Sequence, residues 1–180
     1  MINIAYYDSP IGVILLASKN DKLVGLWLDN QKYYLASFKE ELQTLEDTEI
    51  LLQAKKWLDR YFNGNNPNIS ELDIELIGSE FRKNVWDMLR DIPYGKVLTY
   101  NDIAKKIAKE KGVEKMSAQA VGGAVGHNPI SIIIPCHRVV GSNGSLTGYA
   151  GGIEKKRYLL EHEKIDMNNY IARAKTVNNK

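Results

Sequence analysis

The chain has 180 residues, 44% of them hydrophobic and 26% charged, enough to bury a core as one domain or as two small ones. No apolar run approaches the roughly 20 residues that span a bilayer, and the start lacks the basic-then-apolar pattern of a signal peptide. The lone cysteine, Cys136, forbids an internal disulfide, so the expectation is a cytoplasmic protein with no membrane partner.

The formal net charge of +2 hides an asymmetry. Residues 1–78 carry 7 basic and 12 acidic side chains, net −5; residues 79–180 carry 17 and 10, net +7. A basic half joined to an acidic half suits either a polyanion partner or a solvated face that binds nothing.

In chain order, residues 2–28 read as a three-strand antiparallel meander with turns at Ser9-Pro10-Ile11-Gly12 and Lys19-Asn20-Asp21-Lys22. Two helices are expected next. Leu35, Phe38, Leu42 and Leu45 share one helical face, and Ile50, Ala54, Trp57, Leu58 and Tyr61 share another, stopped by Gly64. The asparagine-rich stretch 63–68 reads as a linker, and Leu72, Ile74 and Leu76 alternate as a short strand.

The second half opens with a helix capped by Ser79, its stripe formed by Phe81, Val85, Met88 and Leu89. Thr99 and Asp102 have the spacing of a capping box for a helix with Ile103, Ala104, Ile107 and Ala108 on its apolar side and Lys105, Lys106 and Lys109 off it. Ser117 caps a further helix, Ala118 to Val125, so the unit reads as helix, turn, helix. Gly122 and Gly123 inside that last helix cost about 1 kcal/mol each relative to alanine. Either a neighbouring helix packs closely there, or a nucleic-acid backbone lies across it.

Ile132-Ile133-Ile134 reads as a buried strand leading to Pro135-Cys136-His137-Arg138-Val139. Burial raises a thiol's pKa, so Cys136 is either an inert core residue or a nucleophile activated by a nearby base or cation. His137 places a base next to it, which favours reactivity. Gly148-Tyr149-Ala150-Gly151-Gly152 offers backbone amides to a ligand or serves as a plain connector. Ile153 to Glu163 reads as a final helix with Tyr158, Leu159 and Leu160 inward, and residues past Met167 as a fraying polar tail. Trp27, Trp57 and Trp86 read as core, and His127 and His162 as ordinary.

Tyr100, the Gln119-to-Asn128 segment, Ile134-Pro135-Cys136-His137-Arg138-Val139, Gly148-Tyr149-Ala150-Gly151-Gly152 and Leu160-Glu161-His162-Glu163 occur in an order that resembles the O6-alkylguanine-DNA alkyltransferases. The Pro-Cys-His-Arg-Val signature is highly specific; the first half is similar to the family's N-terminal domain more loosely. The fold this implies is α/β (α+β). A small RNase H-like domain with an antiparallel three-stranded sheet covers residues 1–70. A winged-helix or helix-turn-helix-like domain carrying the cysteine covers 71–170, and a polar tail covers 171–180.

The resemblance implies single, irreversible transfer of an alkyl group from guanine O6, with thymine O4 as a further substrate, to Cys136. His137 would deprotonate the thiol through a water, and Glu163 would orient the imidazole. Tyr100 would donate to a base flipped from the minor groove of double-stranded DNA, and Asn128 would be the hinge behind the recognition helix. Gln119, Ala120 and Gly123 fall on that helix. The carbonyls of Cys136 and Val139 would accept from the guanine amino group, and the Ala150 amide would approach O6 beside Tyr149 and Gly151. Arg138 would meet phosphate or pin the glycine-rich loop. Cofactor and metal are expected to be none, and the protein is expected to be a monomer. Many relatives have serine where this chain has Ala150, and often arginine where it has Gln119. Two rivals are a cysteine hydrolase, which would turn over, and a helix-turn-helix protein that binds DNA without alkyl transfer.

Overall fold

The computed structural model describes residues 1–36, 38 and 43–170. Apolar residues, continuous in β2 and β3 because both faces of the sheet are covered, fold the N-terminal stretch into β1 (Ile2–Ser9), β2 (Gly12–Lys19) and β3 (Lys22–Leu28), paired antiparallel in sequence order. Asn20 and Asp21, at φ 50° and 58°, give the second turn the left-handed pair that suits a tight hairpin. A fourth strand, β4 (Gln43–Leu45), pairs parallel to β1, so the sheet order is β3-β2-β1-β4.

That strand overturns the first expected helix. Residues 32–36 form turns, Leu45 lies in β4 and is exposed, and Leu42 lies outside the described residues. Phe38 nevertheless packs inward, edge-on against Trp27. The second helix is present as α1 (Glu49–Phe62), burying Ile50, Ala54, Trp57, Leu58 and Tyr61 against the sheet.

The outer edge of β3 is covered rather than open. Leu23 exchanges backbone hydrogen bonds with Asp73 and Glu75, and Leu26 does so with Pro129 and Ser131. The expected strand at 72–76 is therefore a single bridge at Ile74. Covering the edge satisfies its free amides and removes a site of aggregation. It also bonds the N-terminal sheet to the segment that leads to Cys136.

The helical half runs α2 (Glu80–Arg90), β5 (Leu98–Thr99), α3 (Tyr100–Lys111), α4 (Ala118–Gly126), β6 (Val139–Val140) and α5 (Ile153–His162). The sequence-read caps are all present: Ser79 and Ser117 accept from Arg82 N and Ala120 N, and Thr99 and Asp102 close their capping box. Trp86 donates to the Ala124 carbonyl at 2.8 Å and fixes α4 against α2. β5 and β6 pair in parallel, which brings the residue before α3 beside the end of the Cys136 segment.

Three further expectations change. Residues 131–134 are not a strand: Ile132 sits at φ 68°, a conformation costly for a β-branched side chain, and the chain turns there. Tyr158 is exposed, while Leu159 and Leu160 are buried. Residues 167–170 do not fray: Met167–Asn169 is a short 3-10 turn, and Met167 and Tyr170 pack near Val140, Leu146 and Leu160. The tail 171–180 lies outside the described residues.

Candidate active site

Cys136, His137 and Arg138 form one turn of 3-10 helix, and all three are buried. His137 Nε2 lies 2.6 Å from Glu163 Oε1 at the C-terminus of α5. A carboxylate at Nε2 fixes the tautomer: the proton sits on Nε2 and the lone pair on Nδ1. Nδ1 is buried and makes no hydrogen bond to the protein, so it is free to accept one.

Glu163 accepts five hydrogen bonds in all. Arg138 gives two, from Nε at 2.8 Å and Nη2 at 3.0 Å. The Tyr61 hydroxyl gives one at 2.8 Å, the Gly95 amide one at 3.1 Å, and His137 the fifth. Burial pushes the carboxyl pKa up, but the donors and charges of His137 and Arg138 outweigh it and hold the carboxyl well below the usual carboxylate range. Burial is also the main influence on His137, and lowers its pKa despite the pull of Glu163. The imidazole is thus neutral at neutral pH and available as a base.

Burial raises the Cys136 thiol, and Asn128, Lys156 and Ser131 pull it partly back. At rest the sulfur is a thiol that needs a base, and the adjacent neutral histidine can serve. Asn128 braces the turn that presents the sulfur. Its side chain donates to the Ile134 carbonyl at 2.8 Å and to the Ile130 carbonyl at 3.4 Å, and accepts from the Ile130 amide at 3.0 Å.

Arg138 is not a phosphate ligand here, and it does not pin the glycine-rich loop. Its guanidinium is taken up by Glu163 and by the Ile92 carbonyl at 2.6 Å. Tyr100 donates its hydroxyl to the Thr147 carbonyl at 2.9 Å, on the edge of the glycine-rich loop. Ala150 accepts from the Lys32 amide at 3.1 Å, so the N-terminal half holds that loop by its far side. Tyr149 is buried among the core residues, its hydroxyl without a protein partner.

On α4, Gln119, Ala120 and Gly123 are exposed on one face while Val121, Ala124 and Val125 are buried on the other. A side chain added at Gly123 would meet nothing within 4 Å, so helix packing does not explain the glycine. Gln119, Gly122 and Gly123 line an open groove with Tyr100, Thr147 and Gly148. Lys105, Lys106 and Lys109 are exposed on α3, as their spacing requires.

Two site residues escape the sequence reading. Tyr61 sits on a helical stripe that reads as core, and only the fold brings its hydroxyl to Glu163. Lys156 is fully buried beside the Cys136 turn, donating to the Val139 carbonyl. Its signal was available: 156, 159, 160 and 163 share one face of α5, and a lysine on an apolar face with a glutamate is unusual.

Two family models match the chain. The 6-O-methylguanine DNA methyltransferase ribonuclease-like domain matches residues 2–76, and the 6-O-methylguanine DNA methyltransferase DNA binding domain matches residues 80–165. The methylated-DNA–protein-cysteine methyltransferase of Haemophilus influenzae is 38% identical over 160 residues, covering 89% of this chain and 85% of the relative. That of Methanosarcina acetivorans is 40% identical over 163 residues, covering 88% of this chain and 96% of the relative. The crystal structure of Mycobacterium tuberculosis OGT in complex with DNA matches with a TM-score of 0.78 at 39% identity, covering 90% of this chain and 92% of that one. With both halves matched in order and relatives aligned along nearly their whole length, the chain belongs to the methylated-DNA–protein-cysteine methyltransferase family.

Proposed function

We propose that the chain repairs alkylated DNA by direct reversal, taking the alkyl group of O6-alkylguanine onto Cys136 in a single irreversible step. The observation that carries this reading is the linkage of the only cysteine, through its neighbour His137, to a carboxylate tied by five hydrogen bonds. His137 Nδ1 takes the thiol proton through solvent, and Glu163 stabilises the imidazolium that forms. The sulfur attacks the alkyl carbon, the carbon–O6 bond breaks, and its electron pair stays on O6. The guanine leaves restored once it has taken a proton back. A thioether is left on Cys136, and no group beside it can cleave one, so each chain acts once.

The exposed small-residue face of α4 supports docking on the backbone of double-stranded DNA in the minor groove, with Gln119 filling the space of the flipped base. Tyr100 exchanges Thr147 for the base as its acceptor. The carbonyls of Cys136 and Val139 and the amide of Ala150, beside Tyr149 and Gly151, hold the guanine edge. O4-alkylthymine is a further substrate of the same pocket. Residues 1–70 serve as scaffold and 71–170 as the DNA-binding and alkyl-acceptor part. A site complete within one chain supports a monomer. A thiol that must stay reduced supports the cytoplasm, and no helix among the described residues is long and apolar enough to cross a membrane.

Titrating a duplex containing O6-methylguanine with the chain and digesting it to nucleosides tests the reading. The expected result is guanine restored one for one, with a plateau at one lesion per chain. Lesion binding without restored guanine would favour the DNA-binding reading, and continued turnover a hydrolase.

A further inference from the structure

Lys156 is fully buried, and neither the proton relay nor the DNA face uses it. Its ammonium donates to two backbone carbonyls, Val139 O and, at 3.4 Å, Thr147 O. It lies 5.9 Å from the ring centroid of Tyr100 and 6.0 Å from that of Tyr149, within range of cation–π attraction. These four partners come from three separate pieces of chain: the end of the Cys136 turn, the glycine-rich loop and the start of α3. An isolated buried ammonium is strongly disfavoured unless its partners fix it, so the arrangement is built around the charge.

We propose that Lys156 is a positioning residue for alkyl transfer, clamping the Val139 and Thr147 carbonyls so that the two walls of the base pocket keep a fixed spacing around the Cys136 sulfur. The proposal rests on the alkyl-transfer reading and assigns that site a member outside the relay. Thr147 O is the shared point. In the free protein it accepts from both Tyr100 and Lys156. When Tyr100 turns its hydroxyl to the base, Lys156 keeps hold of the loop. Bonded to the carbonyl that ends the Cys136 turn, the same ammonium lowers the thiol's pKa against the effect of burial and so supports the thiolate as it forms. The titratable groups around it are Cys136 and His137 on the turn, Tyr100 on α3 and Tyr149 on the loop. Burial lowers the lysine pKa to about 8, and the neighbouring Cys136 pulls it up, so a large part of the population is charged at neutral pH.

The test compares wild type with Lys156→Met, Lys156→Gln and Lys156→Arg in three measurements. These are the first-order transfer constant at saturating O6-methylguanine duplex, the Kd for that duplex, and the ultraviolet titration of the single thiol. Lys156→Met is expected to slow transfer at least about 30-fold with Kd within about threefold, and to move the thiol titration upward by about one pH unit. Lys156→Arg, which keeps charge and donors, should recover part of the rate and the titration. Lys156→Gln, which keeps donors without charge, should recover part of the rate alone. If Lys156→Met does not fold, the Gln and Arg variants decide by the same criteria. Wild-type transfer with wild-type constants in the substituted chains overturns the proposal alone. A wild-type chain that leaves the lesion untouched overturns the function and the proposal together.

Discussion

The Cys136 turn has two unlike sides. Behind it the polar groups are tied: Glu163 takes five hydrogen bonds, Asn128 makes three, and the Arg138 guanidinium is held by Glu163 and Ile92. In front, α4 presents Ala120 and Gly123 exposed, with Gly148 of the glycine-rich loop exposed across an open groove. The back stores the geometry of the reaction, because a nucleophile and base misplaced by about 1 Å lose orders of magnitude in rate. The front is left open, as the proposed docking of DNA requires. Substitutions behind the turn should therefore damage chemistry and stability, and substitutions in front should change DNA affinity.

The sharpest way to break that contrast is at Glu163. Glu163→Ala leaves Arg138 buried without its counter-charge and His137 without its orienting partner. Transfer should fall by about 10²–10⁴-fold, and urea unfolding should show a loss of about 3–5 kcal/mol. Duplex affinity should fall far less; an equal loss of binding would erase the distinction between the two sides. The same residue governs acid behaviour. Its folded pKa is depressed, so the unfolded chain binds more protons, and stability is full above the ordinary carboxyl value of about 4.3 and declines as pH falls below it. Melting temperature followed through that range should drop in wild type, and Glu163→Gln should flatten its share of the slope.

Asn128→Ala should cost about 1–3 kcal/mol by leaving the buried Ile130 amide unpaired and taking one of two donors from each of the Ile130 and Ile134 carbonyls, and should slow transfer by loosening the turn. Tyr61→Phe removes one of five donors to Glu163, for about 1 kcal/mol and a few-fold loss of rate, checked by urea unfolding and single-turnover kinetics. Gln119→Arg is the smallest change and lies in front. It should steepen the dependence of log Kd on log salt by about 0.9 and leave the melting temperature alone, and a slope equal to wild type would show that position 119 does not meet the phosphates.

The two sides also differ in how legible they are in the sequence. Capping residues announce themselves locally, and Ser79, Thr99 with Asp102, and Ser117 stand where their spacing puts them. The small-residue face of α4 is local too, since Gln119, Ala120 and Gly123 are set by helical period alone. The back is assembled from distant pieces. Tyr61 and Glu163 are 102 positions apart, and nothing near Tyr61 marks it as more than core. The run of isoleucines reads as a strand, but the tertiary demand to aim Cys136 puts Ile132 in a left-handed conformation, and propensity yields. β4 was hidden for a related reason: three residues against an edge carry too little pattern, and the neighbouring leucines fit a helical face by chance.

The central claim is tested most directly by intact-mass measurement of the chain after mixing with duplex DNA containing O6-methylguanine. The account predicts a gain of one CH₂ per chain, located at Cys136, complete at one equivalent of lesion and absent in Cys136→Ala. An unchanged mass in a folded chain that still binds the duplex would contradict it.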